Sequence, residues 1–465
     1  MVCRVRHTKG TATMSSGKNF PGARVLTAKN LATSISGLAL VSWSLAHAQP
    51  ATAATAEVDA AYPKAYALYV DLHEHPELSG YEMRTAAKLA AELRAVGYTV
   101  TEHVGGTGVV AVLKNGPGKT VMLRTELDAL PVEEQTGLAF ASKAHSKDSA
   151  GRDVPVGHMC GHDLHISALV ATAGIMARTR DSWHGTLILI GQPAEETISG
   201  ASGMVHDGLF TRFPRPDVAL ALHVSNELPA GKVGVTSGIY DSNADSLRLT
   251  IYGKGGHGSA PHLTVDPIVT AARTILALQT IASREVMPGD FAVVTVGYIN
   301  AGTKNNIIPD RAELGLTVRT YKPEVRKQVL EAITRITNAE AQAAGAPRTP
   351  TIDRYETTDA VYNDPALTQH LHAVLENALD KGNVVAQGPI TASEDFSVFV
   401  GQGIPGFYLS LGGADPQKYE LARAAGTHLP SNHSPLFAPD VDPAMHTAIT
   451  AEVAMLRDQL KAGGG

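Results

Sequence analysis

Hydrophobic residues in the first half of the chain follow two spacings, one typical of helices and one typical of strands. In residues 83–96 they recur on one helical face and stop just before Gly97, which predicts an amphipathic helix ending at a glycine. A second helical stretch covers residues 166–177. Shorter apolar runs predict strands at 108–113, 121–123, 186–190 and 218–222. Because strands and helices alternate, we predict an α/β fold with three layers around a mostly parallel sheet.

The pattern changes after residue 241. From there the chain reads as strand, helix, strand, strand, helix, at residues 246–252, 266–283, 291–299, 312–320 and 323–340. This order predicts a smaller inserted α+β domain, and the first pattern resumes after residue 350. We therefore predict two domains built from three segments, 57–241, 242–350 and 351–460, with the middle segment forming the insertion.

The first 48 residues differ in composition from the rest of the chain. They contain six basic residues and no acidic ones, and an apolar run at 38–45 precedes Ala46-His47-Ala48. This is the pattern of a secretory signal peptide, so we predict an exported protein, either periplasmic or secreted. The basic region is long, which leaves open a start at Met14, a twin-arginine-like signal or an upstream extension. We interpret the alanine-rich residues 51–61 as a linker.

Removing residues 1–48 makes the chain more acidic. Of the 39 basic residues 33 remain against 45 acidic ones, a formal net charge of −12. Such a charge argues against a nucleic-acid partner. No later apolar run reaches the roughly 20 residues that a membrane-spanning helix needs, so we expect no membrane span after processing. Cys160 is then the only cysteine, and it cannot form an intramolecular disulfide.

The strongest candidate for a chemical site is the segment Gly157-His-Met-Cys-Gly-His-Asp-Leu-His165. A thiol among several imidazoles is typical of a metal site, although a helix start with histidines facing solvent is the plain alternative. Other polar residues directly follow predicted strands, and the carboxyl ends of such strands meet at one edge of a parallel sheet. These residues are Glu126, Asp128, Glu195, Glu196 and His223.

The adjacent carboxylates Glu195 and Glu196 are unusual, because like charges raise each other's proton affinity unless a cation neutralises them. Taken alone, they also fit a solvated helix start after Pro193. His223 alone fits a core histidine, and His433 alone fits a loop residue. Only their combination points to a specific chemistry.

These segments, in this order, resemble the metallopeptidase-like amidohydrolases, which include aminoacylase, carboxypeptidase G, hippurate hydrolase and the indole-3-acetyl-amino-acid hydrolases. The resemblance is closest to the hippurate and indoleacetyl-conjugate branch and spans residues 62–457. The motifs that carry it stand at residues 72–79, 124–131, 157–165, 192–196, 222–224, 253–262, 306–310, 393–396 and 432–435. One departure is Glu126, where the branch usually has Asp.

The resemblance implies a site with two divalent metal ions per subunit. Its ligands would be Cys160, His162, Glu196, His223 and His433. Thiolate favours zinc, while carboxylate and imidazole also suit manganese, cobalt or nickel. Glu195 would be the general base that takes a proton from the attacking water and passes it to the leaving amine.

The resemblance also implies roles for residues around the metals. His257 would stabilise the tetrahedral oxyanion, and Asp128 would orient a histidine ligand. Asn306 and Arg319 would bind the substrate carboxylate or tie a lid to its partner. The inserted domain would act as that lid and as the surface of a homodimer or higher homo-oligomer.

We therefore predict a two-domain di-metal amidohydrolase that cleaves small-molecule acyl amino acids, by type an N-acyl or N-aroyl amino acid or a related peptide-like conjugate. One alternative is a non-catalytic exported binding protein for acyl amino acids, which would not need the base Glu195. Another is a thiol hydrolase with Cys160 as nucleophile, which would leave four ligand-type residues without a role. Loss of activity on chelation, and its return with a divalent salt, would separate these alternatives from a metal enzyme.

Overall fold

The computed structural model describes residues 53–461 of the chain. The predicted signal peptide lies outside the described residues. The helices are α1 Ala53–Glu74, α2 Met83–Ala95, α3 His162–Arg178, α4 Gly200–His206, α5 Leu209–Arg212, α6 Pro267–Leu278, α7 Pro323–Ala343, α8 Pro365–Leu379, α9 Ser397–Val400, α10 Pro416–Ala425 and α11 Val441–Gln459.

The strands are β1 Thr99–Thr101, β2 Val109–Asn115, β3 Thr120–Glu126, β4 His145–Lys147, β5 Asp153–Pro155, β6 Gly185–Gln192, β7 Val218–Pro229, β8 Val233–Val235, β9 Gly238–Ile239, β10 Asn243–Tyr252, β11 Gly256–His257, β12 Ala292–Ala301, β13 Ile307–Ile308, β14 Arg311–Thr320, β15 Thr351–Thr358, β16 Tyr362–Asn363, β17 Val384–Ala386 and β18 Gly406–Ala414.

The large sheet has the strand order β1-β2-β6-β3-β7-β18-β16-β9, and β8 pairs with β18 and β17. Its central strands β6, β3, β7 and β18 run parallel, whereas β1, β2 and β9 are antiparallel to their neighbours. The predicted α/β fold with a mostly parallel central sheet is therefore confirmed.

Alternating side chains of the central strands enter different cores, as the period of two in a strand requires. Leu187 and Leu189 of β6 join the core beneath α1, α3, α8 and α11. Ile188 and Ile190 join the core on the opposite face, with residues of α4, α5 and α9. Both faces of the sheet are thus covered, which is why its strands read as continuous apolar runs in the sequence.

The second sheet has the order β12-β14-β10-β15, and all three of its pairings are antiparallel. Its own core includes residues of α6 and α7, such as Ala271 and Val329. The boundaries of the inserted domain stay a prediction, but β15 lies beyond residue 350, where that domain was predicted to end. The reason is strand pairing, because β15 pairs with β10 of the second sheet and not with a strand of the large sheet.

Two local predictions were wrong. The alanine-rich residues 51–61 were interpreted as a linker, yet α1 begins at Ala53 and buries Leu68, Tyr69 and Leu72. Alanine is the best helix former, so an alanine-rich stretch continues readily into a helix that packs. The helix predicted at 266–283 ends at Leu278 and is followed by a π turn, Ile281–Glu285.

In the part of the chain that the structure describes, no helix combines the length and the apolar character that crossing a bilayer would require.

Candidate functional site

Residues from four separated segments meet at the carboxyl-terminal edge of the central strands. Cys160 and His162 flank the start of α3, Glu195 and Glu196 follow β6, and His223 lies within β7. A fourth segment brings His433 into the same place. The sequence therefore predicted correctly which segments share this edge, as expected for parallel strands.

Gly161 determines how α3 begins. Its φ of 92° lies in the left-handed region, and a Cβ at this position would lie 2.4 Å from Cγ1 of Val224. Only glycine tolerates both conditions without strain. The turn lets Cys160 and His162 point toward the same cluster from either side of residue 161.

Cys160 is the centre of the first group of side chains. Its Sγ lies 3.3 Å from Nε2 of His223 and 3.3 Å from Nε2 of His433. The other ring nitrogen of His223, Nδ1, donates to the backbone oxygen of Val224 at 2.9 Å. The backbone N–H of His433 donates to the oxygen of Met159 at 2.7 Å, and His433 has a φ of 69°. Two histidines from distant segments are thus held with Nε2 facing one thiol.

His162 faces the same centre in a defined tautomer. Its Nδ1 donates to the backbone oxygen of Asp128 at 2.8 Å, and a carbonyl can only accept. In the neutral ring Nε2 therefore carries the lone pair, and it lies 4.0 Å from Oε2 of Glu195 and 4.0 Å from Oε1 of Glu196. Without a cation, burial opposes the charge of the ring, but Asp128 and the neighbouring carboxylates raise the pKa of His162 to about 10. Oε2 of Glu196 lies 3.3 Å from Nε2 of His433.

Several buried atoms of this cluster have no hydrogen-bond partner among the described residues. They are His162 Nε2, Glu196 Oε1 and Asp128 Oδ1. Buried polar atoms are almost always paired, so unpaired ones at a single place indicate a missing partner. His162 Nε2 and Glu196 Oε1 belong to the residues that resemble metal ligands.

The donor atoms fall into overlapping groups suited to metal ions. Cys160 forms one group with His162 and His223, and another with Glu196 and His433, with the donor atoms of each group within 4.8 Å of one another. Because Cys160 belongs to both groups, its thiolate would contribute to holding either ion. A thiolate, a carboxylate and imidazoles are donors that zinc and similar divalent ions accept. The side chains present therefore fit a pair of divalent cations.

The electrostatics of the cluster without a cation support this fit. Burial raises the pKa of Glu196 to about 7, with a further contribution from Asp128. Burial, followed by the charges of Glu394 and Glu196, raises the pKa of Glu195 well above its usual value. Burial and the neighbouring carboxylates also raise the pKa of the Cys160 thiol. A bound cation would lower these three pKa values and favour the charged carboxylates and the thiolate.

Asp128 connects two of these segments. Its Oδ2 accepts from Ser79 Oγ at 2.6 Å and from the backbone N–H of Glu196 at 2.9 Å. The predicted contact with a histidine is present, but it is made mainly by the backbone oxygen, since Oδ1 lies 3.5 Å from Nδ1 of His162. Asp128 therefore fixes both His162 and the backbone of Glu196.

The cluster opens into a cavity of about 850 Å³, whose walls include Cys160, Glu195 and, on β14, Arg319. Arg319 donates through Nη1 to Ser393 Oγ, and burial lowers the pKa of its guanidinium group. Within the described chain, Asn306 and His257 are not among the residues that line this cavity. Both are exposed, and Asn306 O accepts from Gly258 N at 2.8 Å.

His257 lies on the short strand β11 and pairs with Ile307 of β13. Its Nδ1 accepts from the backbone N–H of Ser259 at 3.1 Å and lies 2.7 Å from Ser259 Oγ. The structure thus brings the five candidate ligands, Glu195 and Asp128 together, with Arg319 on the wall of the same cavity. It does not bring His257 or Asn306 to them, and the roles of those two residues stay predictions.

Sequence reasoning gave no role to a second buried group next to the first. Arg124, 1% exposed, donates through Nη2 to Glu394 Oε1 at 2.6 Å and through Nη1 to Glu126. Its Nε donates to Gln192 at 2.9 Å, and Asp395 Oδ1 lies 3.3 Å from Nη2. The motifs at 124–131 and 393–396 contained these residues, but their spacing of about 270 positions gives no sign of contact.

Glu126, the departure noted in the sequence, also belongs to this second group. Its Oε2 accepts from Nδ1 of His165 at 2.9 Å. His165 Nε2 in turn accepts from the backbone N–H of Val224 at 2.9 Å. The longer side chain is therefore fully paired behind the candidate ligand His223.

Comparisons with known proteins agree with this geometry. Residues 122–428 match peptidase family M20/M25/M40. A thermostable carboxypeptidase of Saccharolobus solfataricus is 36% identical over 377 residues, covering 80% of this chain and 89% of the relative. Hippurate hydrolase of Campylobacter jejuni is 38% identical over 333 residues, covering 70% and 82%.

A solved structure shares the fold. The Bacillus subtilis YXEP protein, described as a dinuclear metal binding peptidase from the M20 family, has a TM-score of 0.67 and 28% identity, covering 85% of this chain and 98% of the other. The match to the family covers more than half of the chain, and the resemblance inferred from the motifs is confirmed. The chain belongs to peptidase family M20/M25/M40 and is a metal-dependent hydrolase of amide bonds.

Proposed function

We propose that this protein hydrolyses the amide bond of N-acyl or N-aroyl amino acids, or of related small peptide-like conjugates, to a carboxylate and a free amine. The observation that carries the proposal is the pair of donor groups sharing Cys160, with the carboxylate of Glu195 beside them. A hippurate hydrolase among its relatives supports the substrate class, since hippurate is an aroyl amino acid.

Two divalent ions would be held by Cys160, His162, Glu196, His223 and His433. Zinc fits the thiolate, and manganese, cobalt or nickel fit the carboxylate and imidazoles. When bound, such ions polarise a carbonyl group and lower the pKa of water.

Glu195 would act as the proton carrier. It is 6% exposed, and its Oε2 lies 4.0 Å from the candidate ligand His162. Without a cation, burial and neighbouring carboxylates raise its pKa. A cation held by the neighbouring ligands would favour the charged carboxylate, which can then accept a proton from an attacking water. The water oxygen forms the new C–O bond, the C–N bond breaks, and Glu195 returns the proton to the amine nitrogen.

The cavity walls suit a small substrate with a carboxylate. Arg319 supplies a guanidinium group within the cavity, and its partner Ser393 is neutral. A substrate carboxylate would therefore gain a charge-assisted hydrogen bond from Arg319. Its binding would not break an ion pair with Ser393, because Ser393 carries no charge. A volume of about 850 Å³ accommodates an acyl amino acid.

We further propose export and self-association. The composition of residues 1–48 supports export. Exposed apolar side chains on α6 and on the edge strand β12 support a homodimer through the second sheet, because such residues favour burial in an interface. They are Ile268, Val269, Leu276, Tyr298 and Ile299. Light scattering of the purified protein tests this association.

A thiol hydrolase is a weaker alternative. A nucleophilic cysteine needs a stabilised thiolate, whereas the carboxylates of Glu196 and Glu195 beside Cys160 oppose its ionisation. Only a cation would favour the thiolate here, which again points to a metal site.

The test is a set of N-acetyl and N-benzoyl amino acids assayed with purified protein, before and after treatment with a chelator. We expect hydrolysis that stops on chelation and returns with zinc, manganese, cobalt or nickel salts. Binding of these compounds without turnover would support a binding protein instead. Hydrolysis that survives the chelator but stops on thiol alkylation would support the thiol mechanism.

A further inference from the structure

One motif of the sequence has no role in the proposed chemistry, the segment at residues 72–79. Its histidine, His73, lies in the last turn of α1 and is 2% exposed. Nδ1 of His73 lies 2.7 Å from Asp163 Oδ2, and Nε2 lies 3.2 Å and 3.1 Å from the two carboxylate oxygens of Glu134. The side chains of Glu134 and Asp163 are 0% and 1% exposed.

Both ring nitrogens of His73 must donate, because ionised carboxylates only accept. The ring is therefore an imidazolium held between two buried anions. Although burial opposes this charge, the two carboxylates raise the pKa of His73 to about 10. The rings of Tyr69 and Phe140 lie against it, with centroids 5.5 Å and 5.3 Å away, and keep the pair of contacts away from solvent.

Each of these two carboxylates is connected to a different candidate metal ligand. Asp163 directly follows His162 in the first turn of α3. Glu134 accepts from the backbone N–H of Ser142 at 2.6 Å, which closes the loop between them. In the same loop the backbone N–H of Gln135 donates to Pro435 O at 2.7 Å, two residues after His433.

We propose that His73 is a positioning residue that fixes the distance between the ligands His162 and His433. The imidazolium contacts both the start of α3 and the loop at 134–142. That loop is in turn hydrogen-bonded to the segment of His433. His433 needs such support, since its φ of 69° is unfavourable for a residue with a side chain. The inference rests on the proposed ligand roles of His162 and His433.

The contact acts through other residues, because His73, Glu134 and Asp163 are not among the described residues that line the cavity. Its loss should therefore weaken metal binding without removing any ligand. Outer hydrogen-bond partners of metal ligands typically change metal affinity by about 10- to 100-fold. We expect a loss of this size for zinc.

The variants are His73→Asn, which removes the cation, and Glu134→Gln, which keeps an acceptor for Ser142 but removes the charge. Thr172→Val is the matched control, because it removes a buried hydrogen bond of the same helix, the 2.6 Å contact of Thr172 Oγ1 with Glu452. Zinc affinity is measured on the metal-free full chain by competition with a chelating indicator. The melting temperature of the same metal-free protein is measured alongside.

We expect both test variants to lose zinc affinity by about 10- to 100-fold, and Thr172→Val to lower the melting temperature while zinc affinity is unchanged. Unchanged zinc affinity in Glu134→Gln would overturn the inference, even if His73→Asn does not fold. An equal loss of affinity in Thr172→Val would also overturn it, because any loosening of α3 would then suffice. Wild-type protein that binds no zinc, manganese, cobalt or nickel would instead overturn the proposed function itself.

Discussion

Two groups of buried carboxylates lie side by side in this protein, and they differ in what neutralises them. Glu126, Glu394 and Asp395 surround the guanidinium group of Arg124. Glu195 and Glu196 have no Lys or Arg partner among the ion pairs of the described residues, and Oε1 of Glu196 is unpaired. The first group has an arginine at its centre, whereas the described ion pairs of the second group involve only histidines, which are themselves candidate metal ligands.

One further buried carboxylate, outside both groups, extends the comparison. Among the described residues, the side chain of Glu452 on α11 has only the hydroxyl of Thr172 as a hydrogen-bond partner, and burial raises its pKa to about 8. It is therefore neutral near pH 7 by holding a proton. An arginine, a bound metal ion and a bound proton are three ways to offset the charge of a buried carboxylate.

The largest effect is expected from Glu195→Ala. Turnover of an N-acyl amino acid should fall by about 10²- to 10⁴-fold, because the proton carrier is lost while the ligands remain. Steady-state kinetics and elemental analysis of the same sample test this. Full activity would exclude Glu195 as the base, and a parallel loss of metal would make it a ligand.

Replacing Arg124 at the centre of the first group should lower the free energy of unfolding and not only the activity. Arg124→Met removes the guanidinium group that contacts all three buried carboxylates, and breaking buried ion pairs in this way costs about 3–5 kcal/mol. Urea unfolding measures the loss. Arg212→Ala is the control, because its ion pair with Asp207 is 43% and 42% exposed, and such exposed pairs contribute little to the free energy of unfolding. Equal stability of the two variants would contradict the comparison.

Changing the shared thiol should alter the metal site selectively. Cys160→Ser removes the soft donor that belongs to both groups, so zinc occupancy should fall, or preference should shift toward manganese. Metal analysis after dialysis against mixed salts measures both. Unchanged occupancy and preference would count against a bridging role for Cys160.

The smallest effect is a change in the pH dependence of stability. Folding raises the pKa of Glu452 from about 4.5 to about 8, so between these values the folded state binds more protons than the unfolded state. The stability that this group supports is complete below about pH 4.5 and is lost as the pH rises through about 8. Glu452→Gln should therefore melt like the wild type at about pH 5 and at a higher temperature at about pH 9. Identical melting curves at both pH values would contradict this.

The sequence predicted the central elements well, because their signals are local. The amphipathic pattern at 83–96 became α2, ending at Ala95, and the apolar run at 186–190 became the centre of β6. The alanine-rich stretch before residue 61 was misinterpreted because composition alone does not distinguish a linker from a helix that packs. No strand was predicted at 351–358, and its pairing with β10 depends on a partner strand about 100 residues away, which the residues of the strand do not indicate.

The sequence by itself determined which side chains are candidates for metal ligands and base, because the motifs that carry the family resemblance contain them. Only the tertiary structure decided how they meet. It places Cys160 Sγ 3.3 Å from a histidine 273 residues away and surrounds Arg124 with acids from another segment. It also leaves His257 outside the cavity walls of the described chain. The physical reason is that burial, unpaired atoms and neutralising charges are properties of a three-dimensional environment, which sequence spacing does not encode.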